Sequence, residues 1–306
     1  MRRAIDQRFV SDLKGGVLKG FLDGVKDDDA LCLEIRSGYI NIYYRGGNLF
    51  KISPAPRKGG YKVFFDPKYA AGDKSLQATI KGIEPHNPEA WIENTPLLKS
   101  VMDSYFSKHP KSEREFQQLI ERENNYSVIA KSTDYYIGDI EYANSANSSR
   151  FDMLAVKWIR RDSKNRQKAT LSFIEVKYGD NALKGDAGIC KHVADIVGFL
   201  KSGNNKAEII EEVNGLYEQK NALGLMSGAP EDVSILPNSA LEFVLLVSNH
   251  TPASSLLDDE LEKVMASVAY AEMKELGCQM KIAVASLMGY GLYDECMIPL
   301  EDYLVR

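Results

Sequence analysis

Two acidic residues of this chain are spaced so that they could bind a divalent cation together. Asp152 lies in RFDMLAVKWI and Glu175 in ATLSFIEVKY, two segments whose alternating, β-branched residues predict strands. Their midpoint falls in the polar segment RRDSKNRQ, residues 160–167, which predicts a turn. In a symmetric antiparallel hairpin the two carboxylates are therefore opposite each other, about 4.5–5.5 Å apart at Cβ. Like charges at this distance destabilise a sheet unless a cation lies between them, so the spacing predicts a metal site.

Side-chain alternation along the second strand adds a lysine to the same face. Glu175 and Lys177 share one face of the predicted sheet, whereas Ile174 and Val176 point to the other, apolar face. Mg²⁺ takes oxygen ligands and keeps several waters, so two carboxylates and one carbonyl are enough to hold it. The backbone carbonyl of Val176 is the expected third ligand, and Mn²⁺ is the expected substitute for Mg²⁺.

Hydrolysis of a phosphodiester is the reaction that such a group of side chains supports. A bound divalent cation polarises the phosphate and lowers the pKa of a bound water. Lys177 can orient this water or stabilise the charge that develops on the phosphate, and a lowered pKa would also let it accept a proton. Glu141, near the end of the preceding predicted strand, and Glu113, at the start of the preceding predicted helix, are candidate further carboxylates.

The elements around these residues predict a mixed α/β domain. A helical pattern in SEREFQQLIERE precedes DYYIGDIEYA and the two strand segments above. DAGICKHVADIVGFLK then predicts a helix, LEFVLLVSN a strand, DDELEKVMASVAYAEMKELG one helix and KIAVASLMG a last strand. The apolar stripe of the second helix consists of Ile189, Val193, Ile196, Val197 and Leu200. On the first helix we expect Phe116, Leu119 and Ile120 to face the core, flanked by Glu113 and Glu123, with Glu121 pointing away.

Asp152 followed by Glu175-Val176-Lys177, in this order of elements, resembles the PD-(D/E)XK nucleases, also called the restriction-endonuclease-like superfamily. The resemblance covers about residues 110–290 and includes EYANSANSSRFDMLAV, where a glutamate and an arginine precede the aspartate. It implies a restriction-endonuclease-like mixed sheet flanked by helices and an Mg²⁺-dependent nuclease, with DNA the expected substrate, in defence, restriction or repair. It also implies metal ligation by Asp152 and Glu175, catalysis by Lys177, and support from Glu141 and Glu113.

The chain departs from the pattern of that superfamily in two ways. Phe151 stands where a proline commonly precedes the aspartate. In the helix after Glu175-Val176-Lys177, Lys191 and Asp195 occupy the positions where a glutamine and a tyrosine are often found, with His192 beside them.

Basic residues near the predicted metal site are the expected contacts to nucleic acid. They are Arg160, Arg161, Lys164 and Arg166 in the predicted turn, and Lys191 and His192 in the following helix. The turn projects from the two strands that carry the predicted metal ligands, where phosphate contacts would be useful. The alternative is a solvated hairpin tip and a histidine that only lines a helix face.

The first hundred residues differ from the rest of the chain in their pattern of short, aromatic-rich segments. LCLEIRS, YINIYYRG, LFKIS and YKVFFD are short, aromatic-rich segments that predict a β-meander. IEPHNPEAWIENTP, with three prolines, predicts a connector, and LLKSVMDSYFSK predicts a helix. The expected domains are therefore a smaller N-terminal β-rich domain of unknown role, residues 1–105, and a nuclease-like domain, residues 106–306.

Composition narrows the class of protein further. The net charge of −5 argues against a protein that coats nucleic acid, although an enzyme needs only a local basic surface. The four cysteines lack the spacing of metal ligands, and the apolar run 243–247 is far shorter than the roughly 20 residues that cross a membrane. The N-terminal segment lacks the apolar core of a signal peptide, so we expect a cytoplasmic protein without membrane partners. The acidic charge leaves room for a homodimer or for a partner protein that delivers the substrate.

Two alternatives to an active nuclease remain at this point. One is a catalytically silent relative that only binds nucleic acid or a protein partner. The other is an unrelated α/β scaffold in which Glu175 and Lys177 form a surface ion pair.

Overall fold

The computed structural model describes residues 2–57, 59–144, 149–159, 169–251, 254–285, 292, 294 and 297–305. The chain divides into two compact units. The first unit comprises Met1–Arg122 and Gln219–Leu225, and the second comprises Glu123–Glu218 and Met226–Arg306. The sequence-based boundary between residues 105 and 106 stays a prediction.

Two short helices open the first unit. Helix α1 spans Gln7–Gly15 and α2 spans Lys19–Asp27. Asp6 caps α1 by accepting a hydrogen bond from the Phe9 backbone N–H, and the helix ends at the glycine pair Gly15–Gly16. Both helices bury one apolar face, as their amphipathic pattern requires.

The predicted meander forms a four-stranded antiparallel sheet in the order β1-β2-β3-β4. Its strands are β1 (Leu31–Ile35), β2 (Ile40–Tyr44), β3 (Gly47–Pro54) and β4 (Tyr61–Phe64). The tight connection between β2 and β3 uses Arg45 at φ 48° and Gly46 at φ 77°. Two consecutive residues of positive φ are what a two-residue hairpin turn of type I′ requires.

The proline-rich segment after this sheet contains one helix and the start of another, so its interpretation as a connector was wrong from Pro88 onward. Helices α3 (Lys74–Gly82), α4 (Pro88–Glu93) and α5 (Thr95–Phe106) follow the sheet. Asn87 caps α4 through the Ala90 N–H, and Pro88 stands in the first turn, where its missing N–H costs nothing. Pro88 and Pro96 thus mark helix starts.

Helix α6 (Ser112–Asn125) buries a different face from the one expected. Phe116 and Ile120 are buried as predicted, but Leu119 is 49% exposed and Glu121 is fully buried. The prediction for Leu119 and Glu121 was therefore wrong. An ion pair inside the first unit, described below, accounts for the buried carboxylate.

The second unit contains a six-stranded mixed sheet flanked by helices, in the order β10-β9-β8-β7-β6-β5. Its strands are β5 (Tyr135–Asn144), β6 (Ser149–Lys157), β7 (Thr170–Tyr178), β8 (Leu241–Ser248), β9 (Cys278–Ala285) and β10 (Ile298–Pro299). Strands β7, β8 and β9 are parallel, and the remaining neighbours pair antiparallel. The predicted mixed α/β architecture is confirmed at this level.

The register of the β6–β7 pair is the one that the sequence predicts. Met153 pairs with Ile174 and Lys157 pairs with Thr170. Continued by one residue, this register sets Asp152 across from Glu175. The paired residues themselves end one step earlier, at Met153 and Ile174.

Helices cover the face of the sheet that carries Leu171 and Phe173. They are α7 (Ile189–Lys201), α8 (Asn205–Ala222), α9 (Leu256–Met265), α10 (Val268–Glu275) and the short α11 (Leu300–Tyr303). All five residues of the predicted α7 stripe are buried, which confirms it. They belong to the same apolar core as Leu171 and Phe173.

The segment predicted as one long helix is two. Helix α9 ends at Met265, and α10 begins at Val268 with Ser267 as its cap, accepting from the Tyr270 N–H. Among the helices in the described ranges, none combines the length and the apolar character that crossing a bilayer requires.

Candidate functional site

The carboxylate of Asp152 lies where the β6–β7 ladder stops. Its Oδ2 accepts a hydrogen bond of 2.9 Å from the backbone N–H of Val176. The carboxylate is thus fixed beside the strand that carries Glu175 and Lys177. The strand register explains this placement, because Asp152 directly precedes Met153, the first residue of β6 that pairs with β7.

Glu175, Lys177 and His192 form a close cluster on the α7 side of the sheet. Nζ of Lys177 lies 2.7 Å from Oε1 of Glu175, 3.0 Å from Nε2 of His192 and 2.9 Å from the carbonyl oxygen of Ala187. His192 Nε2 also lies 2.9 Å from Oε1 of Glu175. The Glu175 and Lys177 side chains are only 6% and 4% exposed. They are not a surface ion pair, so the alternative of an exposed pair on an unrelated scaffold was wrong about its position.

The electrostatics of the cluster keep Glu175 ionised. Burial raises the pKa of the Glu175 carboxyl, but the hydrogen bond with His192 and the positive charge of Lys177 outweigh it, and the pKa lies below its usual value. Glu175 therefore stays a carboxylate at neutral pH. Only an ionised carboxylate is a good ligand for a divalent cation.

Glu141 occupies the position on β5 that continues the register across from Asp152. Ile140 pairs with Met153 and Tyr142 with Phe151, which leaves Glu141 and Asp152 as cross-strand neighbours. Glu141 has a φ of 53°, a left-handed conformation that is unusual for a residue other than glycine. Strained backbone of this kind concentrates at functional sites. The placement agrees with the predicted role of Glu141 without testing it.

Phe151, the residue before Asp152, anchors the end of β6. Its ring packs edge-on against Phe173 at 4.9 Å and against Phe199 of α7 at 5.1 Å, measured between ring centroids. The aromatic packing thus holds the residue before Asp152 against the core.

The other predicted site residues are placed as follows. Glu113 lies in the first turn of α6, in the first unit. Lys191 pairs with Asp195 on an exposed face of α7, with both side chains about half exposed. Arg160, Arg161, Lys164 and Arg166, the predicted contacts to nucleic acid in the hairpin turn, lie outside the described residues.

The donors at the β6–β7 pair match what Mg²⁺ or Mn²⁺ prefers. Asp152 and Glu175 supply hard carboxylate oxygens from neighbouring strands. Lys177 and His192 both contact Oε1 of Glu175, so Oε2 is the oxygen that an ion would take. Within the described part of the chain, these carboxylates do not form a group of three ligand side chains within 4.8 Å. An ion here would therefore depend on the predicted Val176 carbonyl and on water.

A buried ionic network on the opposite face of the sheet was missed in the sequence. Glu242 lies inside the apolar run of β8, and its Oε1 is 2.7 Å from Lys157 and 3.0 Å from Lys281. Its Oε2 accepts from the hydroxyls of Tyr135 at 3.0 Å and Ser172 at 3.1 Å. A charged residue within a continuous apolar strand is the one signal that could have revealed it.

A second missed cluster lies in the core of the first unit. Cys32, Glu34 and Glu121 bring three potential metal ligands within 4.8 Å of one another, all buried. Nζ of Lys220 lies 2.7 Å from Glu34 and 3.2 Å from Glu121. The lysine supplies the positive charge that the two buried carboxylates need. This contact also explains why Glu121 is buried.

Comparison with known proteins gave no match to any family model, to any curated protein or to any solved structure.

Proposed function

We propose that the chain is a metal-dependent nuclease of the PD-(D/E)XK type, acting on DNA with Mg²⁺ or Mn²⁺. The observation that carries the proposal is the hydrogen bond that holds the Asp152 carboxylate to the backbone N–H of Val176, the residue between the ion-paired Glu175 and Lys177. Two carboxylates and one lysine at neighbouring strand positions are the groups that metal-assisted phosphodiester hydrolysis uses. The six-stranded mixed sheet with flanking helices is compatible with a restriction-endonuclease-like fold.

The residues divide the work as follows. Asp152 and Glu175 would hold the cation, which when bound polarises the phosphate and supplies an acidified water. Lys177, buried and fixed by three contacts, would place its ammonium next to the reacting phosphate and stabilise the negative charge that develops there. His192 contacts both Lys177 and Glu175 and so holds the two side chains in position. Lys191 and the basic residues 160–166 would contact the nucleic-acid backbone.

One observation favours a second candidate, a catalytically silent protein that binds nucleic acid or a partner. Glu175 already has two close partners in Lys177 and His192, so its charge is compensated without an ion. A relative that has lost catalysis could keep the cluster for that structural reason.

Cleavage of labelled substrates separates the two candidates. The protein is incubated with single- and double-stranded DNA and RNA in Mg²⁺, in Mn²⁺ or in EDTA. The nuclease proposal expects cleavage that EDTA abolishes and that Asp152→Asn and Glu175→Gln both lower by at least two orders of magnitude. Glu231→Gln, which changes an exposed glutamate of the same unit, is the matched control and should cleave like wild type. Binding without cleavage under every condition would support the silent protein instead.

A further inference from the structure

A second pair of polar side chains lies at the carboxyl ends of β7 and β8, apart from the Glu175 cluster. Nδ1 of His250 lies 2.7 Å from Oδ1 of Asp180, and the backbone N–H of Thr251 donates to the same oxygen at 3.2 Å. The His250 side chain is 10% exposed and that of Asp180 is 22% exposed. The pair is therefore largely shielded, yet open enough to meet a ligand.

The backbone places Asp180 and His250 together at one edge of the sheet. Tyr178 and Ser248 are the last paired residues of the parallel strands, and Asp180 and His250 each stand two residues beyond them. The N–H of Gly179 donates to the Ser248 carbonyl at 2.7 Å, which ties the two exits together. Gly179 has a φ of 73° and Asn249 a φ of 55°. The segments that follow β7 and β8 thus both turn sharply, which brings the side chains of Asp180 and His250 together.

The contact between Asp180 and His250 fixes the imidazole in one orientation. The hydrogen bond with His250 lowers the pKa of the Asp180 carboxyl, which is therefore an ionised acceptor at neutral pH. An ionised carboxylate only accepts hydrogen bonds, so Nδ1 of His250 carries the hydrogen. Nε2 is then the nitrogen left to exchange a proton with another group. A carboxylate that orients a histidine in this way is the arrangement found where imidazole transfers protons.

Asp180 lies just beyond the end of β7, the strand that carries the proposed catalytic lysine. Asp180 follows Lys177 by three residues, so their Cα atoms are separated by no more than about 11 Å. In sheets with parallel strands, ligands bind beyond the carboxyl ends of the strands, which is where Asp180 and His250 stand. A phosphodiester held next to Lys177 would therefore have its ester oxygens within reach of this edge.

We propose that His250, positioned by Asp180, is a catalytic residue that gives its proton to the leaving oxygen of the phosphodiester. This inference rests on the proposed nuclease function and assigns the protonation of the leaving oxygen to a residue outside the Asp152–Glu175–Lys177 group. The oxygen of the attacking water forms the new bond to phosphorus and loses a proton to solvent. The bond between phosphorus and the leaving oxygen breaks, its electron pair stays on that oxygen, and the Nε2 proton of the imidazolium neutralises it. Neutral His250 then regains a proton from solvent.

A change of leaving atom tests the assignment. Single-turnover cleavage is measured with one DNA oligonucleotide, and again with the same oligonucleotide carrying sulfur in place of the leaving oxygen. A thiolate departs without a proton, so it does not need the acid. His250→Gln should slow cleavage of the oxygen substrate by about 100-fold or more, because general acid catalysis contributes about 10²–10⁴-fold. With the sulfur substrate the same variant should stay within a few-fold of wild type.

Two further variants complete the experiment. Asp180→Asn keeps a hydrogen-bond partner for His250 but removes the charge, and should show a smaller loss with the same dependence on the leaving atom. His109→Gln, a change of an exposed histidine in the first unit, is the matched control and should cleave both substrates like wild type.

Each outcome decides the question. An equal loss on both substrates for His250→Gln and Asp180→Asn would assign the pair a structural role and overturn the proposal, as would no loss at all. If the folded wild type cleaves neither substrate, the nuclease function itself fails and the proposal falls with it. Melting curves identify a variant that is unfolded, and the other variant then carries the test.

Discussion

Replacement of Lys177 by methionine tests how the buried cluster of the second unit is held together. The substitution keeps the aliphatic volume but removes an ammonium that contacts Glu175 at 2.7 Å, the Ala187 carbonyl at 2.9 Å and His192 at 3.0 Å. Removing one partner of a buried ion pair costs about 3–5 kcal/mol, because the remaining charge is left uncompensated. His192 still contacts Glu175, so we expect the lower end, about 3 kcal/mol. At about 2–4 °C per kcal/mol, the melting temperature of this unit should fall by about 6–12 °C.

Divalent cations should reverse much of this loss. Lysine is not a ligand in the proposed site, so Mn²⁺ should bind Lys177→Met at least as tightly as wild type. An ion at 100 times its dissociation constant stabilises the folded state by about 2.7 kcal/mol, which is close to the expected loss. Scanning calorimetry with and without Mn²⁺ measures the stability, and titration calorimetry measures the affinity.

A matched variant separates this effect from a general loss of buried charge. Lys157→Met removes another buried lysine of the same unit, which contacts Glu242 at 2.7 Å on the opposite face of the sheet. It should lose stability to a similar extent while its Mn²⁺ affinity stays at the wild-type value, whereas Asp152→Asn should not bind Mn²⁺. If Lys177→Met binds Mn²⁺ more weakly than Lys157→Met does, Lys177 builds the metal site and the reasoning is wrong.

Two further predictions concern Glu242 and Glu141. Burial raises the pKa of the Glu242 carboxyl, but the charges of Lys157 and Lys281 outweigh burial and hold this pKa below 4.5. The ionised Glu242 therefore stabilises the fold above that pH, and this stabilisation is lost as the pH falls through the folded-state pKa. The stability difference between wild type and Glu242→Gln in urea should therefore be largest at neutral pH and shrink below pH 4.5; a constant difference down to pH 3 would contradict this. Glu141→Gly relieves the φ of 53° and should leave stability unchanged or raise it by about 1 kcal/mol, while Mn²⁺ affinity falls. Glu141→Gln, which keeps the strained backbone, should lose the same affinity without the gain, and unchanged Mn²⁺ binding in both would remove Glu141 from the site.

The parts of the site that could be predicted are those set by local periodicity. The two strand segments alternate around a polar turn, so symmetry alone gave the register that brings Asp152 to the Glu175 strand. The apolar stripe of α7 could be predicted equally well, because five apolar residues at helical spacing need a core to cover them. In both cases one residue's environment depends on neighbours that are close in sequence.

The parts that could not be predicted depend on partners far away in the chain. Glu121 looked like a solvent-facing residue of α6, and only the contact with Lys220, 99 residues later, explains why it is buried. Glu242 in β8 depends in the same way on Lys157. The helix at Pro88 is a different kind of miss, since Asn87 and Pro88 are a local capping signal that was interpreted as a chain break.

The two buried glutamates of the parallel strands show why Glu175 is the better candidate for a ligand site. Both oxygens of Glu242 are occupied, one by two lysines and the other by two hydroxyls, so the carboxylate has completed its hydrogen bonding. The contacts of Glu175 with Lys177 and His192 both go to a single oxygen. A carboxylate whose two oxygens both accept hydrogen bonds stabilises the fold. A largely desolvated carboxylate whose ion-pair contacts go to one oxygen can bind a cation through the other oxygen. Burial and charge are alike at the two positions, and the arrangement of donors around each carboxylate makes the difference.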